Sequence, residues 1–308
     1  MTFGEYWPRY EEKKKGFVKD TSLAAYRLNW RRHLAPFFGD IEMDDIKNST
    51  IQRYVDYKIA EGLSVHCVQD HIVTLKNMLK LWHLEQDRPI STFTIIWPSK
   101  STYGTKTREK YTDEEIGKLI EYCKRSDSNF CKIVALGAMT GLRIGELCGL
   151  QFGDFDFDES TVSVHRTVGR IYIGENKTEL YVNPPKCGAS ERSIPIPPWL
   201  NKYFKSYQKL YNIDDAQYIS SADSSDKTPF LEPRVFRSRF KSLCSKVGIP
   251  YRSFHSLRHS YASRLLQAKV DIRTTAELLG HSDVNTTLNI YAHSDENAKK
   301  NAAKKIFL

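Results

Sequence analysis

Six cysteines are scattered through the 308 residues, Cys67, Cys123, Cys131, Cys148, Cys187 and Cys244, and no two of them form a Cys-x-x-Cys pair. Such spacing offers neither a disulfide framework nor a cysteine-held zinc site, and reduced thiols of a cytosolic protein are expected. No apolar run approaches the roughly 20 residues that cross a bilayer. Met1-Thr2-Phe3-Gly4-Glu5 has no apolar signal core behind a basic start, so secretion and membrane insertion are not expected. Internal repeats and low-complexity tracts are also missing.

What is present is the balance of an ordinary globular protein, 40% hydrophobic and 27% charged, on a chain long enough for two domains. Lys and Arg number 46 against 37 Asp and Glu, a formal charge of +9. That excess favours a polyanionic partner, because each neutralised phosphate releases condensed counterions. A merely soluble basic protein would show the same number.

The first 90 residues carry helical periodicity throughout. Phe3, Tyr6, Trp7 and Tyr10 recur at helical spacing behind a Thr2/Glu5 capping box, with Pro8 expected to kink or shorten that helix. A second helix is predicted from Thr21 or Ser22 to Pro36 and a third from Asn48 to Glu61. A fourth, capped by Ser64, has Val68, Ile72, Leu75, Leu79 and Trp82 on one face. Four helices with short links make a compact bundle. Arg27, Arg31 and Arg32, near Lys13 to Lys15, are either a grip on a DNA backbone or a solvated charged face.

Residues 91–110 have little apolar periodicity and carry Lys100, Lys106, Arg108 and Lys110, as an interdomain linker following a nucleic-acid backbone would. A second domain opens at a Thr112/Glu115 capping box. Helices are predicted at about 113–126, 128–139 and 142–150. The period then shortens: Thr161 to His165, Arg170 to Ile173 and Glu179 to Val182 alternate like strands of one small antiparallel sheet. Helices return at about 198–211, 233–247, 255–268, 273–279 and 284–292, with Ser220 to Lys227 as a polar loop. The fold class is thus mainly α with a small antiparallel β-sheet.

Chemistry gathers near the C-terminus. Ser253-Phe254-His255-Ser256-Leu257-Arg258-His259 is followed by Leu278-Leu279-Gly280-His281 and by Leu288-Asn289-Ile290-Tyr291-Ala292-His293. Imidazoles, a guanidinium and a phenol without a carboxylate suit an anionic, phosphate-like centre. His255 and His259, four apart, also have the spacing of a metal pair, but no glutamate-bearing zinc signature accompanies them, and phosphate chemistry is the stronger reading. Upstream lie Thr140-Gly141-Leu142-Arg143-Ile144-Gly145-Glu146-Leu147 and the segment Pro185-Lys186-Cys187-Gly188 to Arg192-Ser193-Ile194-Pro195.

These four strings, in this order, resemble the tyrosine recombinase (phage integrase) family over nearly the whole chain. The resemblance implies an N-terminal four-helix core-binding, SAM-like domain at 1–90, a linker at 91–110, an α+β catalytic domain at 111–293 and a tail at 294–308. That tail either docks into a neighbouring subunit or folds back on its own domain. The implied catalytic set is Arg143, Lys186, His255, Arg258, His281 and the nucleophile Tyr291. Arg143 and Arg258 would clamp the phosphate, with Glu146 holding the Arg143 fork. His255 would exchange protons, and His281 would donate a hydrogen bond to the scissile phosphate. Lys186 would protonate the departing 5′ hydroxyl. Gly145 stands where a small polar residue is more usual, which is expected to weaken the local helix, and Cys187 and Gly188 depart from the usual Thr or Ser.

The implied activity is site-specific cleavage and rejoining of DNA through a 3′-phosphotyrosyl intermediate, with no metal, nucleotide or other cofactor. Implied partners are double-stranded DNA sites, a homotetramer assembled on them, and an excisionase or host bending factor, in bacterial cytoplasm. The long hairpin from Gly169 to Pro184 is more like integrases of phages and conjugative transposons than Xer-type resolvases. The chain starts at the core-binding bundle, so either it is a simple recombinase or an arm-binding domain is absent from this sequence. An inactive regulator or architectural protein on the same scaffold, and a relaxing topoisomerase of the same chemistry, are the rival readings. The recombinase reading depends on Arg143 and Arg258 converging in one cationic pocket that a phenolic oxygen can approach.

Overall fold

The computed structural model describes residues 1–99, 109–174, 177–183, 191–221, 228–281 and 283–292, with the backbone alone at 174 and 289–292. Contacts gather the chain into two compact units, Met1–Thr107 with Arg170–Leu180, and Arg108–Gly169 with Tyr181–Leu308.

In the first unit α1 (Phe3–Lys14) starts on the predicted capping box: Glu5 N donates to Thr2 Oγ1 at 3.2 Å and Thr2 N to Glu5 Oε2 at 2.8 Å. Pro8 does not shorten it. Burial of Phe3, Tyr6, Trp7 and Tyr10 along one face keeps the helix running six residues past the proline, so tertiary packing outweighs one lost backbone hydrogen bond. The single second helix expected to Pro36 is three pieces: α2 (Asp20–Asn29), a π turn at Trp30–Leu34 and α3 (Ala35–Phe38). Ala35 N bonds back to Trp30 O, a wider turn that sets the Trp30 ring flat against Trp7 with centroids 4.8 Å apart. Such bulges insert a residue and re-aim the side chains around them.

Next come α4 (Asn48–Ala60) and α5 (Val65–Glu85), the latter capped by Ser64 Oγ, which accepts from Cys67 N. Val68, Ile72, Leu75 and Leu79 of α5 are buried against the α1 aromatics, with Trp82 half-buried beside them. Within this core Tyr54 Oη bonds His71 Nδ1 at 2.9 Å, and His33 stacks on the His71 ring at 4.1 Å. Residues 91–99, which had the composition of a linker, run extended along the unit: Gln52 bonds both N and O of Ile96, and Asn48 Nδ2 donates to Thr94 O at 2.7 Å.

The second unit opens with α6 (Asp113–Arg125) on its Thr112/Glu115 capping box. It continues into α7 (Asn129–Thr140), buried on almost every side and mostly apolar, with buried Lys132 satisfied by the carbonyls of Cys123, Lys124 and Ser126. A short α8 (Ile144–Gly149) follows. The predicted single sheet is two. β1 (Phe155–Asp156), β2 (Thr161–Ser163) and β5 (Ser193–Pro195) form one antiparallel sheet, with Val162 opposite Phe155 and Ile194. Among the described residues β3 (Thr167–Gly174) and β4 (Lys177–Asn183) form a second, two-stranded sheet. Val162 and Ile194 are fully buried and anchor the first sheet in the core, whereas most of β4 is exposed and bears a polar pattern. Alternation alone reported strands and could not say which strand pairs with which.

The remaining helices are α9 (Pro198–Leu210), α10 (Pro233–Val247), α11 (Phe254–Gln267), α12 (Ile272–Leu279) and α13 (Val284–Ala292). Of the expected polar loop, Ser220 is fully buried and its Oγ accepts from Leu231 N at 3.0 Å; residues 222–227 lie outside the described residues. Helix α7 packs on α6 and α11, and α11 packs on α12 and α13. The centre of α11 is thereby brought to the end of α7. Among the described residues no helix is long and apolar enough to cross a membrane.

Candidate active site

Helix α7 ends at Gly141, and Arg143 is the residue that precedes α8. Its backbone N donates to Glu146 Oε2 at 2.9 Å and its Nη1 to Glu146 Oε1 at 2.6 Å, so one carboxylate holds both ends of the arginine. Gly145 between them is required by a close approach. A Cβ there would lie 2.5 Å from Val168 O and 2.7 Å from Thr167 Oγ1, because β3 runs against α8. The expected weakening of the helix gives way to a packing reason for the glycine.

Arg258, on α11, is 3% exposed. Its Nη1 donates to Gly141 O at 2.8 Å and its Nη2 to Leu279 O at 2.5 Å. Arg143 Nη2 donates to Gly280 O at 3.0 Å. A third guanidinium completes the series, Arg192 Nε on Leu278 O at 2.8 Å. The last three carbonyls at the end of α12 are thus each held by a different arginine. These are the carbonyls a helix leaves unsatisfied at its C-terminus, where the macrodipole favours cations. Gly280 takes a left-handed conformation (φ +64°) that turns the chain out of α12 and delivers His281 beside the cluster.

Two of the three guanidiniums, those of Arg143 and Arg192, share one buried carboxylate, Glu146. Burial alone would raise the Glu146 carboxyl, but the charges of Arg192 and then Arg143 outweigh it and hold it below the ordinary carboxylate range. Burial, and next the like charge of Arg143, push the Arg258 pKa down to about 9, still a cation at neutral pH. Burial, then Arg258 and Arg143, push His281 down to about 4, so its ring is neutral near pH 7. His281 Nδ1 bonds Thr287 Oγ1 at 2.9 Å, leaving Nε2 as the nitrogen able to face a ligand. Arg143 is the one guanidinium of the three with a large open edge, its side chain 38% exposed against 6% for Arg192. The arrangement is an anion clamp, with one solvent-facing fork backed by buried positive charge.

Arg143, Glu146, Arg258 and His281 are therefore brought together from three sequence motifs. His255 is exposed on the first turn of α11, its ring perpendicular to that of His259 at 4.6 Å. Tyr291 lies in α13, which packs on α11 and α12; its side chain, with Lys186, Cys187, Gly188, Lys106, Arg108 and the tail at 294–308, lies outside the described residues. In the first unit Arg27 Nε pairs with Glu11 Oε1 at 2.6 Å, and Arg31 Nη1 donates to Tyr172 Oη at 2.7 Å. Arg31 and Arg32 are exposed. Among the described residues no three His, Cys, Asp or Glu side chains gather as metal ligands.

Arg192 was missed by motif reading. Strand alternation held the signal: Ile194 in β5 faces the core, so the residue two before it faces the same way. A basic residue at an inward position implies a buried acidic partner.

Residues 109–298 match the model of the phage integrase family, and residues 2–59 that of the phage integrase N-terminal SAM-like domain. The chain is 28% identical over 288 residues to a tyrosine recombinase XerC-like protein of Caldanaerobacter subterraneus subsp. tengcongensis, covering 86% of this chain and 72% of that one. It is 32% identical over 171 residues to tyrosine recombinase XerA of Thermococcus onnurineus, covering 56% of this chain and 53% of that one. Among solved structures, the Tn1549 transposon integrase in complex with transposon right end DNA aligns over 100% of both chains, with a TM-score of 0.77 at 20% identity. A lambda integrase tetramer bound to a Holliday junction aligns over 94% of this chain and 77% of that one, with a TM-score of 0.62 at 17% identity. These structural likenesses carry the fold, and the match over 109–298 carries the lineage: the chain belongs to the phage integrase family.

Proposed function

We propose that this chain is a site-specific DNA recombinase, or integrase, that cuts and rejoins strands through a 3′-phosphotyrosyl intermediate. The observation that carries the reading is the convergence of Arg143 and Arg258 on Gly280 O and Leu279 O, next to a neutral His281. Such a cluster stabilises charge on the non-bridging oxygens of a phosphodiester at its transition state.

Tyr291 Oη attacks phosphorus, the new O–P bond forms, and the bond from phosphorus to the 5′ oxygen breaks. The phenol, with an ordinary pKa of about 10, must lose its proton as it attacks. His255 is the group assigned to receive it, and Lys186 supplies one to the departing 5′ oxygen. A 5′ hydroxyl from a partner strand reverses the step, so bond energy is conserved without nucleotide hydrolysis. The exposed edge of Arg143 and the Nε2 of His281 bind the non-bridging oxygens. Arg258 supplies buried charge from behind.

Residues 1–90 serve as the core-binding domain, with Arg27, Arg31 and Arg32 toward the phosphate backbone and Lys106 and Arg108 following it. Residues 111–293 are the catalytic domain. Two cuts in each of two duplexes call for a homotetramer on DNA, with residues 294–308 docking on a neighbour. Integration and excision of a mobile element are the setting, with an excisionase or bending factor directing them, in the cytoplasm.

The test is a nicked duplex carrying attachment-site DNA, from which the short product strand diffuses away once cut. A protein–DNA species that survives denaturation and is sensitive to protease is the expected result. Tight binding with no such species would make the chain a regulator or architectural protein on this scaffold.

A further inference from the structure

We propose that Arg192 is a positioning residue of this site, tying the turn that presents His281 to the carboxylate that aims Arg143; the inference rests on the strand-transferase reading above. Its guanidinium spans two elements. Nε donates to Leu278 O at 2.8 Å, while Nη2 lies 3.0 Å from Glu146 Oε2 and Nη1 3.4 Å from Glu146 Oε1. Glu146 in turn holds both the backbone and the fork of Arg143. A change at Arg192 therefore reaches Arg143 through one carboxylate and His281 through one turn.

Arg192 is closed off from any ligand, with its side chain 6% exposed, so it cannot share the phosphate-binding task of Arg143. The turn is shaped around it as well. At Gly280 a Cβ would come 2.7 Å from Arg192 Nη1, and the left-handed backbone there already demands glycine. Lysine keeps the charge but cannot imitate the fork, because one ammonium cannot reach a carbonyl and both carboxylate oxygens in a plane. Loss of Arg192 would leave Leu278 O without this donor and Glu146 with Arg143 as its remaining charged partner. The distance between the exposed fork and the His281 ring would then rest on the single bond from Arg143 Nη2 to Gly280 O. Displacements of about 1 Å in a positioning group slow a reaction by about 100-fold while binding survives.

The experiment compares the parent, Arg192→Lys, Arg192→Gln, Glu146→Gln and the pair Glu146→Gln/Arg192→Gln on one nicked attachment-site duplex. DNA affinity, single-turnover adduct rate and melting temperature are measured for each. Arg192→Gln is expected to form adduct about 100-fold more slowly with affinity within about threefold of the parent, and Arg192→Lys to recover part of that loss. The slowing must persist well below the melting temperature of every variant, and the His281 ring nitrogen resonances must shift. Adduct rates within about twofold of the parent, or a slowing that vanishes at low temperature, overturn the proposal. The double variant removes both partners of the Arg192–Glu146 pair and so leaves neither of them buried alone; if the single Arg192 variants do not fold, its rate measured against Glu146→Gln alone decides in the same two directions. A parent that forms no adduct would instead overturn the strand-transferase reading.

Discussion

Arg143 precedes α8 and Arg258 lies within α11, yet their Nη2 atoms donate to adjacent carbonyl oxygens, those of Gly280 and Leu279. The end of α12 is thus a shared anchor. It sets the separation of two cations that would otherwise repel, and it places His281 in the same pocket.

Arg258 cannot be replaced by lysine at small cost. One ammonium cannot serve both Gly141 O and Leu279 O, and a buried carbonyl left unpaired costs about 1–3 kcal/mol. Arg258→Lys is expected to melt lower and to form phosphotyrosyl adduct about 100- to 1000-fold more slowly, as loss of one preorganised donor does. Single-turnover rates on a nicked duplex check this, and a rate near the parent's would count against a phosphate role for Arg258.

Gly145→Ala sets two principles against each other. Helix propensity alone favours alanine by about 1 kcal/mol. A Cβ 2.5 Å from Val168 O must push β3 away, and overpacking of this kind costs about 1–3 kcal/mol. The clash is with backbone, so the variant is expected to be less stable. Denaturant titration decides the sign, and a more stable variant would show that β3 yields freely.

Stability should fall on mild acidification. Burial, then His33 and Lys58, push His71 down to about 4, and His281 is pushed to the same value. The unfolded chain takes these protons near pH 6.5 and the folded chain only near 4. Between those values the unfolded state binds more protons, so folding stability drops as pH falls, by at most about 1.4 kcal/mol per pH unit for each histidine. Urea midpoints between pH 7 and 5 should decline, and His71→Leu should flatten the decline. Equal slopes in parent and variant would contradict the assignment.

Among the basic residues of the first unit, Arg32 is exposed whereas Arg27 is committed to Glu11. Arg32→Ala should weaken DNA binding and reduce the slope of log affinity against log salt by about 0.9, as loss of one phosphate contact does. Arg27→Ala should change that slope less. The reverse order would move the DNA-facing surface to the other side of α2.

Much of this was legible in the chain itself. Capping boxes at Thr2/Glu5 and Thr112/Glu115, and the cap at Ser64, marked helix starts that the structure keeps, because caps are local chemistry. The π turn at Trp30–Leu34 was not legible, since it follows from stacking Trp30 on Trp7, a tertiary demand. Strand pairing failed for the same reason: Val162 meets Ile194 across a long stretch of chain that includes the hairpin. At the site, motifs located Arg143, Arg258 and His281, whose spacing is distinctive. Arg192 lies inside the hairpin segment but was not singled out there; its inward register hinted at a buried acidic partner, and the partner itself, Glu146, lies far off in the chain and is seen only in the fold.

The central claim is that a phenolic oxygen at position 291 attacks a phosphodiester held by this arginine cluster. The most direct measurement is the yield of covalent protein–DNA adduct from parent and Tyr291→Phe on the same nicked attachment-site duplex, with peptide mass mapping of the linked residue. A 3′-phosphotyrosyl peptide containing Tyr291 is expected from the parent, and no adduct from Tyr291→Phe at DNA affinity within a few fold of the parent's. Equal adduct yield from the two proteins, or a linkage mapped to another residue, would contradict the central claim.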